Sequence, residues 1–412
     1  MSDEFRLRPY EEMEHHPVAD KLAQILCQKT QNTNPLFFRV SVAYYFSVMA
    51  SMMRTTIITH DRGKIPVNLY AINLATSGAG KGFSINVMEE QVVAQFQQRF
   101  TNETFQLLAE DNLPKIAIRR ASAEGTDPDE ELERIKKEFK DQGALLFYFD
   151  SSTEAALKQA RYKLQMADAG ALNLQMDEIG SNLGGSGEAL NAYLELYDVG
   201  KIKQKMTKNT KENIRAEDLQ GNTPTNMMMY GTPAKLFDSS KIEEEFYSWL
   251  DTGYARRCLF GYAKGHERNN KMTVNEVYEL LTNTDTDAYL ENISDHFEAL
   301  ADIININKKL VMSERVAKMF IHYRLNCEER ATHFREHDEM RKAEMSHRYF
   351  KATKLAGAYA FVDDSPEITE ENLEQAIKLV EESGIAFDNL LRDYFVKAFH
   401  DSGKSGCMIV SH

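Results

Sequence analysis

IPVNLYAINLATSGAGKGFS, residues 65–84, decides the fold. Its first twelve residues are almost wholly apolar and rich in residues that favour extended chain. They predict a buried strand. The strand runs into Ala75-Thr76-Ser77-Gly78-Ala79-Gly80-Lys81-Gly82, and SINVMEEQVVAQFQQRFTNETFQLLAE (84–110) then has the pattern of a long helix. Strand, glycine-rich turn and helix in that order are the setting of a phosphate loop. Glycines let successive backbone N–H groups face phosphate oxygens, and the start of the helix adds positive potential. Ser77, Gly78, Ala79, Gly80, Lys81, Gly82 and Phe83 are the candidate cradle, with Lys81 on the β- and γ-phosphates of ATP. Two positions depart from the usual pattern. Ala75 stands where the first glycine is expected. Gly82 stands where a Ser or Thr hydroxyl holds Mg²⁺, which leaves Ser84 as the nearest hydroxyl.

Working outward, ALLFYFD (144–150) and ALNLQMDE (171–178) read as strands, with TEAALKQARYKL (153–164) as the helix between them. Ser151, Ser152 and Thr153 are available to cap that helix. A further helix, 189–200, precedes the strands TNMMMYGT (225–232) and CLFGYA (258–263). This alternation predicts an α/β core with a mostly parallel sheet covered on both faces. PVADKLAQILCQKT and NPLFFRVSVAYYFSVMASMM make the N-terminus helical, and from about residue 271 the pattern is helical to the end. The expected organisation is an N-terminal helical segment (1–60), a P-loop NTPase core (61–270) and a C-terminal helical domain (271–412). Residues 121–142 read as an exposed, charged insertion.

Asp177 and Glu178 end an apolar strand, where open α/β sheets place their ligands. Asp177 suits Mg²⁺, and Glu178 suits the activation of an attacking water. Asp150 ends another strand and either faces the same cleft or caps the next helix. Thr232, at the end of the next strand, is a candidate γ-phosphate sensor, while Asn226 at its start reads as structural. Arg256 and Arg257 precede the last strand; an arginine reaching a neighbouring subunit would stabilise transition-state charge.

The chain has 412 residues, a formal net charge of −14, 42% hydrophobic and 27% charged residues. These proportions argue against disorder, and the acidic excess argues against a surface coated in positive charge. KIKQKMTKNTKENIR (201–215) reverses that sign locally. Lys201, Lys203, Lys205, Lys208 and Lys211 fit a loop that follows a single-stranded phosphate backbone. The four cysteines, Cys27, Cys258, Cys327 and Cys407, form no CxxC pair, and His333 and His337 lack further metal-ligand partners. No apolar run is long enough to span a bilayer, and the acidic start MSDEFRLRPYEEMEHH is no signal peptide, so a cytoplasmic protein is expected.

SGAGKG, FDSSTEAAL, GALNLQMDEIG, LELYDVG, TPTNMMMYGTP and GYARRCLF occur in that order. Together they resemble the P-loop helicase domain, of AAA+/RecA-like type, found in phage and prophage primase–helicase proteins. The likeness covers residues 65–265 and, more loosely, 310–390. It implies an ATP-dependent DNA helicase or translocase that assembles as a ring, in all expectation a hexamer. It puts Lys81 on phosphate, Asp177 and Glu178 at Mg²⁺ and water, and Arg256 or Arg257 in trans. The sequence shows no primase motif, so any primase is a separate protein or a segment outside this sequence, and a primase or polymerase is a candidate partner. A helicase loader, a nucleotide-binding scaffold without hydrolysis and a nucleoside kinase are the rival readings. The vicinal acids and paired arginines count against the kinase.

Overall fold

A computed structural model describes residues 7–179, 187–201, 221–237, 241–263, 272–336 and 338–402. The expected strands form a four-stranded, wholly parallel sheet: β3 (Tyr70–Leu74), β4 (Leu172–Met176), β5 (Thr225–Gly231) and β6 (Cys258–Tyr262). Its order is β4-β5-β3-β6. Alternate residues of β3 leave on opposite faces. Tyr70 meets Tyr193 and Tyr197 of the helix Gly187–Val199. Asn73 instead donates to Phe37 O at 3.0 Å and Ser41 Oγ at 2.8 Å on the helix Pro35–Met52. Both faces are therefore covered, which is why these strands read as apolar runs without alternation.

The buried polar residues in those runs pair with each other. Asn226 Nδ2 donates to Asn173 Oδ1 at 2.9 Å, and Asn226 Oδ1 accepts from Leu69 N at 2.9 Å. Asn226 is thus structural, and these bonds tie β5 to its neighbours on both sides. The stretch 144–150 touches the sheet by a single bridge, Phe149 to Leu174, rather than as a full strand. Asn173 Nδ2 takes the carbonyl of Phe147 at 2.8 Å, so a side chain replaces the next rung of the ladder. Thr153 is the residue that caps the helix Glu154–Ala167, accepting from Ala156 N. The helix after the glycine loop is broken by π-helical turns at Val87–Val92 and Phe100–Thr104. The charged segment expected as an insertion forms the helix Pro128–Asp141 and packs Ile135 into a separate small cluster with Ile116 and Tyr162.

The expected boundaries near residues 60 and 270 are crossed by a second sheet. It has the order β2-β1-β7-β8, with β1 Thr56–Thr59, β2 Gly63–Pro66, β7 Lys309–Met312 and β8 Glu367–Ile368. β1 runs antiparallel to β2 but parallel to β7, so the first and last thirds of the chain share a sheet. One hydrophobic cluster extends from Met13 to Leu391. The apolar helix Pro35–Met52 lies in its middle, buried nearly all round. The C-terminal region, expected to be purely helical, contains β7 just before the helix Glu314–Thr332 and β8 between the helices Glu339–Val362 and Glu370–Ser402. Among the described residues no helix is long and apolar enough to cross a membrane.

Candidate active site

β3 is flanked by β5 on one side and β6 on the other. The chain leaves β3 toward β4 and β5 and returns to the opposite flank with β6, so the carboxyl end of β3 is a topological switch point. A cavity of about 390 Å³ opens there. It is lined by Thr76 to Phe83 of the loop, by Glu178 beyond β4, and by Gly231, Thr232 and Lys235 beyond β5.

The loop is held from three sides. Ala75 N donates to Gly231 O at 3.1 Å, fixing it to β5. Asn32 Nδ2 donates to Ala79 O at 2.9 Å, and Asn32 is itself buried. Thr30 packs on Gly80, where an added Cβ would fall 2.5 Å from Thr30 Cγ2. Gly78 and Gly80 have φ of +85° and +87°, a region that disfavours any side chain. Ala75 sits where the backbone needs no such freedom, so the departure from glycine there is accommodated. Gly80 caps the helix Lys81–Asn86.

The acidic strand and the loop strand are not neighbours in the sheet. β5 intervenes, and the two ends meet through side chains. The Lys81 ammonium donates to the Asp177 carbonyl oxygen. Asp177 N donates to Asp150 Oδ1 at 3.3 Å, so Asp150 meets the end of the acidic strand, while Thr153 caps the following helix. Glu178 Oε1 accepts from Thr232 N at 3.3 Å, and Glu178 Oε2 lies 3.7 Å from Lys235 Nζ. The carboxylate is thus held between the sensor position and a lysine that sequence reasoning missed. Phe83 lines the cavity and is half exposed.

Three sequence-derived assignments fall elsewhere. Ser84 is buried and does not line the cavity; its hydroxyl donates to Lys81 O at 2.7 Å, one turn back in the helix. Its side chain points along the helix, not toward the loop. Arg256 and Arg257 lie at the amino end of β6, with Cys258 beside Tyr70 in register. That is the end of the sheet remote from the cavity, about 15 Å away along the strand. Arg257 is buried, donating to Gly253 O at 3.2 Å and Asp198 Oδ2 at 3.4 Å. Arg256 stays partly exposed, its pKa lowered by burial and by the charge of Arg257. Of the basic loop, Lys201 is exposed, while Lys203, Lys205, Lys208 and Lys211 lie outside the described residues. The stem is closed by Thr223 N donating to Gly200 O at 2.8 Å and anchored by Arg161 on Gly221 O at 3.1 Å. It too is at the amino end of the sheet.

Phe37 and Asn73 complete the cavity wall. Neither carries a motif signal: Phe37 reaches the loop through the packing of the helix Pro35–Met52, and Asn73 lies inside the strand that runs into it. Lys235 had a weak signal: it follows Thr232 by three residues at the start of a helix, a spacing that puts both on one side.

The donor set fits a nucleotide with Mg²⁺. Mg²⁺ usually takes one or two protein carboxylates, with phosphates and waters completing its shell. Asp177 and Asp150 carry exposed carboxylates beside Glu178, although neither lines the cavity. No cluster of three or more His, Cys, Asp or Glu that would form a full protein cage occurs among the described residues. An added Cβ on Gly82 meets nothing within 4 Å, so the space for the usual hydroxyl is present although the hydroxyl is not.

No protein-family model and no curated protein matches this chain.

Proposed function

We propose that this chain is a P-loop ATPase that uses hydrolysis to move along single-stranded DNA as a homo-oligomeric ring. The observation that carries the reading is the meeting of a positive-φ glycine loop, Lys81, Glu178 and Thr232 around one cavity at a switch point. In this reading the loop N–H groups and Lys81 hold the β- and γ-phosphates. Asp177 would hold Mg²⁺, which would supply Lewis acidity at the phosphates. Glu178 accepts the proton of the attacking water.

Two features favour a translocase over a simple hydrolase. The stem of the basic loop leads directly into β5, and the far end of β5 carries Thr232 at the cavity. A shift of β5 would therefore be felt at both places. Arg256 is a strand length from its own loop, so any phosphate it serves belongs to a neighbouring subunit. The ring, and a hexamer within it, rest on that separation and on the resemblance of the motifs.

A second reading is favoured by Gly82 and by the turned-away Ser84: a nucleotide-binding scaffold with little or no turnover. Steady-state ATPase with and without single-stranded DNA separates the two. DNA-stimulated turnover that is lost in Glu178→Gln, with ATP still bound, is the expected result. Binding without turnover in the wild type would establish the scaffold instead.

A further inference from the structure

Both lysines that border the cavity are parked on the end of the acidic strand. Lys81 donates to the Asp177 carbonyl, and Lys235 Nζ lies 3.7 Å from Glu178 Oε2. The phosphate-loop pattern accounts for the first. Nothing in that pattern calls for the second. Lys235 stands in the helix Pro233–Leu236 directly after Thr232, and its side chain is 68% exposed.

We propose that Lys235 is a second phosphate-binding lysine, specific for the terminal phosphate, that leaves Glu178 when a nucleoside triphosphate enters. The inference rests on the nucleotide reading of the cavity and goes beyond it by assigning a residue, a ligand atom class and an exchange of partners.

Three observations support the exchange. Lys235 and the glycine loop border the same cavity, so an anion seated on the loop is within the space its side chain sweeps. Its pair with Glu178 is long, monodentate and open to solvent, the kind of ion pair that is cheap to break. Finally, Glu178 keeps a second partner, the Thr232 amide at 3.3 Å, which holds the carboxylate in place after the lysine departs. An unprotonated carboxylate that has lost its ammonium partner but kept its orientation is what a general base needs. With triphosphate absent, the lysine occupies the carboxylate and suppresses idle activation of water. A diphosphate that ends short of the lysine leaves the parked arrangement undisturbed.

The test compares binding of ADP and of the non-hydrolysable β,γ-imido analogue of ATP, both with Mg²⁺, by calorimetry on the full chain. Lys235→Ala should lose at least about tenfold in affinity for the triphosphate analogue, the size expected for one charge-assisted hydrogen bond. Its ADP affinity should stay within about twofold. Lys235→Arg, which keeps the charge, should recover most of the loss. Equal affinities of Lys235→Ala and wild type for the analogue would overturn the proposal. So would an equal loss for both nucleotides, since that places the lysine on the shared part of the ligand or in the scaffold. Lys81→Ala, run alongside, should weaken both nucleotides. If Lys81→Ala does so and Lys235→Ala changes neither, the loop reading stands and the lysine assignment falls. If wild-type protein binds neither nucleotide, both fall together.

Discussion

The two ends of the parallel sheet use the same residue types in opposite ways. At the carboxyl end Lys81 and Lys235 face an open cavity and hold single, replaceable partners. At the amino end the helix Glu339–Val362 drives Arg348, Lys351 and Lys354 into the core, each no more than 2% exposed. There each of these three cations holds at least two partners. Arg348 and Lys351 share Glu344, with Lys351 Nζ at 2.7 Å from Oε1, and Arg348 also reaches Glu381 at 2.7 Å. Lys351 Nζ donates to Cys258 O at 3.1 Å, and Lys354 Nζ to Pro66 O and Tyr197 O at 3.0 Å each. These bonds lock the starts of the strands. Burial pulls the Lys354 ammonium down to about 7. The lesson is that exposure, not residue type, decides whether a cation can change partner.

The largest test of that contrast is Glu344→Gln. It leaves two buried cations short of a counter-charge, so unfolding free energy should fall by roughly 3–5 kcal/mol in urea titration. A loss under about 1 kcal/mol would show the amino end to be as tolerant as the cavity. The same group sets an acid limit. Burial alone would raise its pKa, but Lys351 and Arg348 bring the Glu344 carboxyl down to about 2, and Glu381 is lowered as well. A depressed folded-state pKa stabilises above the unfolded value and is lost as pH falls through the folded one. Stability should therefore drop between about pH 4.5 and 2, by an amount on the order of a few kcal/mol. Glu344→Gln should flatten that drop.

At the carboxyl end, Lys81→Ala should reduce ATP affinity by about tenfold or more in calorimetry while leaving the urea midpoint in place. Unchanged affinity would remove the loop from the nucleotide reading. Gly82→Ser is a smaller and constructive change. The position is open and helical, so stability should rise by about 0.5–1 kcal/mol. The added hydroxyl should also lower the Mg²⁺ concentration needed for half-maximal turnover. The smallest effect is on the stability of Lys235→Ala, expected within about 0.5 kcal/mol of wild type because its pair is exposed. Such a silent melting curve beside a changed triphosphate affinity is the clearest sign that the two ends differ in kind.

Parts of this arrangement were open to reading from the chain alone. The loop from Ser77 to Gly82, the acids at 177–178 and the threonine at 232 sit at strand ends. A strand end is a local property, set by an apolar run and the residues that stop it. Other parts depended on which strand lands beside which. The strand order, which puts β5 between the acidic strand and the loop strand, is set by tertiary packing and carries no local signal. Ser84 was proposed from distance along the chain, but one turn of helix carries its hydroxyl back to Lys81 O. Arg256 and Arg257 looked like one unit, yet Asp198 and Gly253 take Arg257 into the structure and leave Arg256 partly exposed. The second sheet was invisible because β7 and β8 are short and β7 finds its partner β1 some 250 residues earlier in the chain.

By itself, then, the sequence determined the kind of core and the carboxyl-end identity of Lys81, Asp177, Glu178 and Thr232. Hydrophobic period and glycine placement are read within a dozen residues, which is the range over which backbone preference acts. Tertiary structure alone decided that Asn32 holds the loop, that Phe37 walls the cavity and that Lys235 meets Glu178. It also decided that the terminal helices belong to the same core as the sheet. Those outcomes come from burying apolar area that is scattered along the whole chain, and burial is blind to sequence distance.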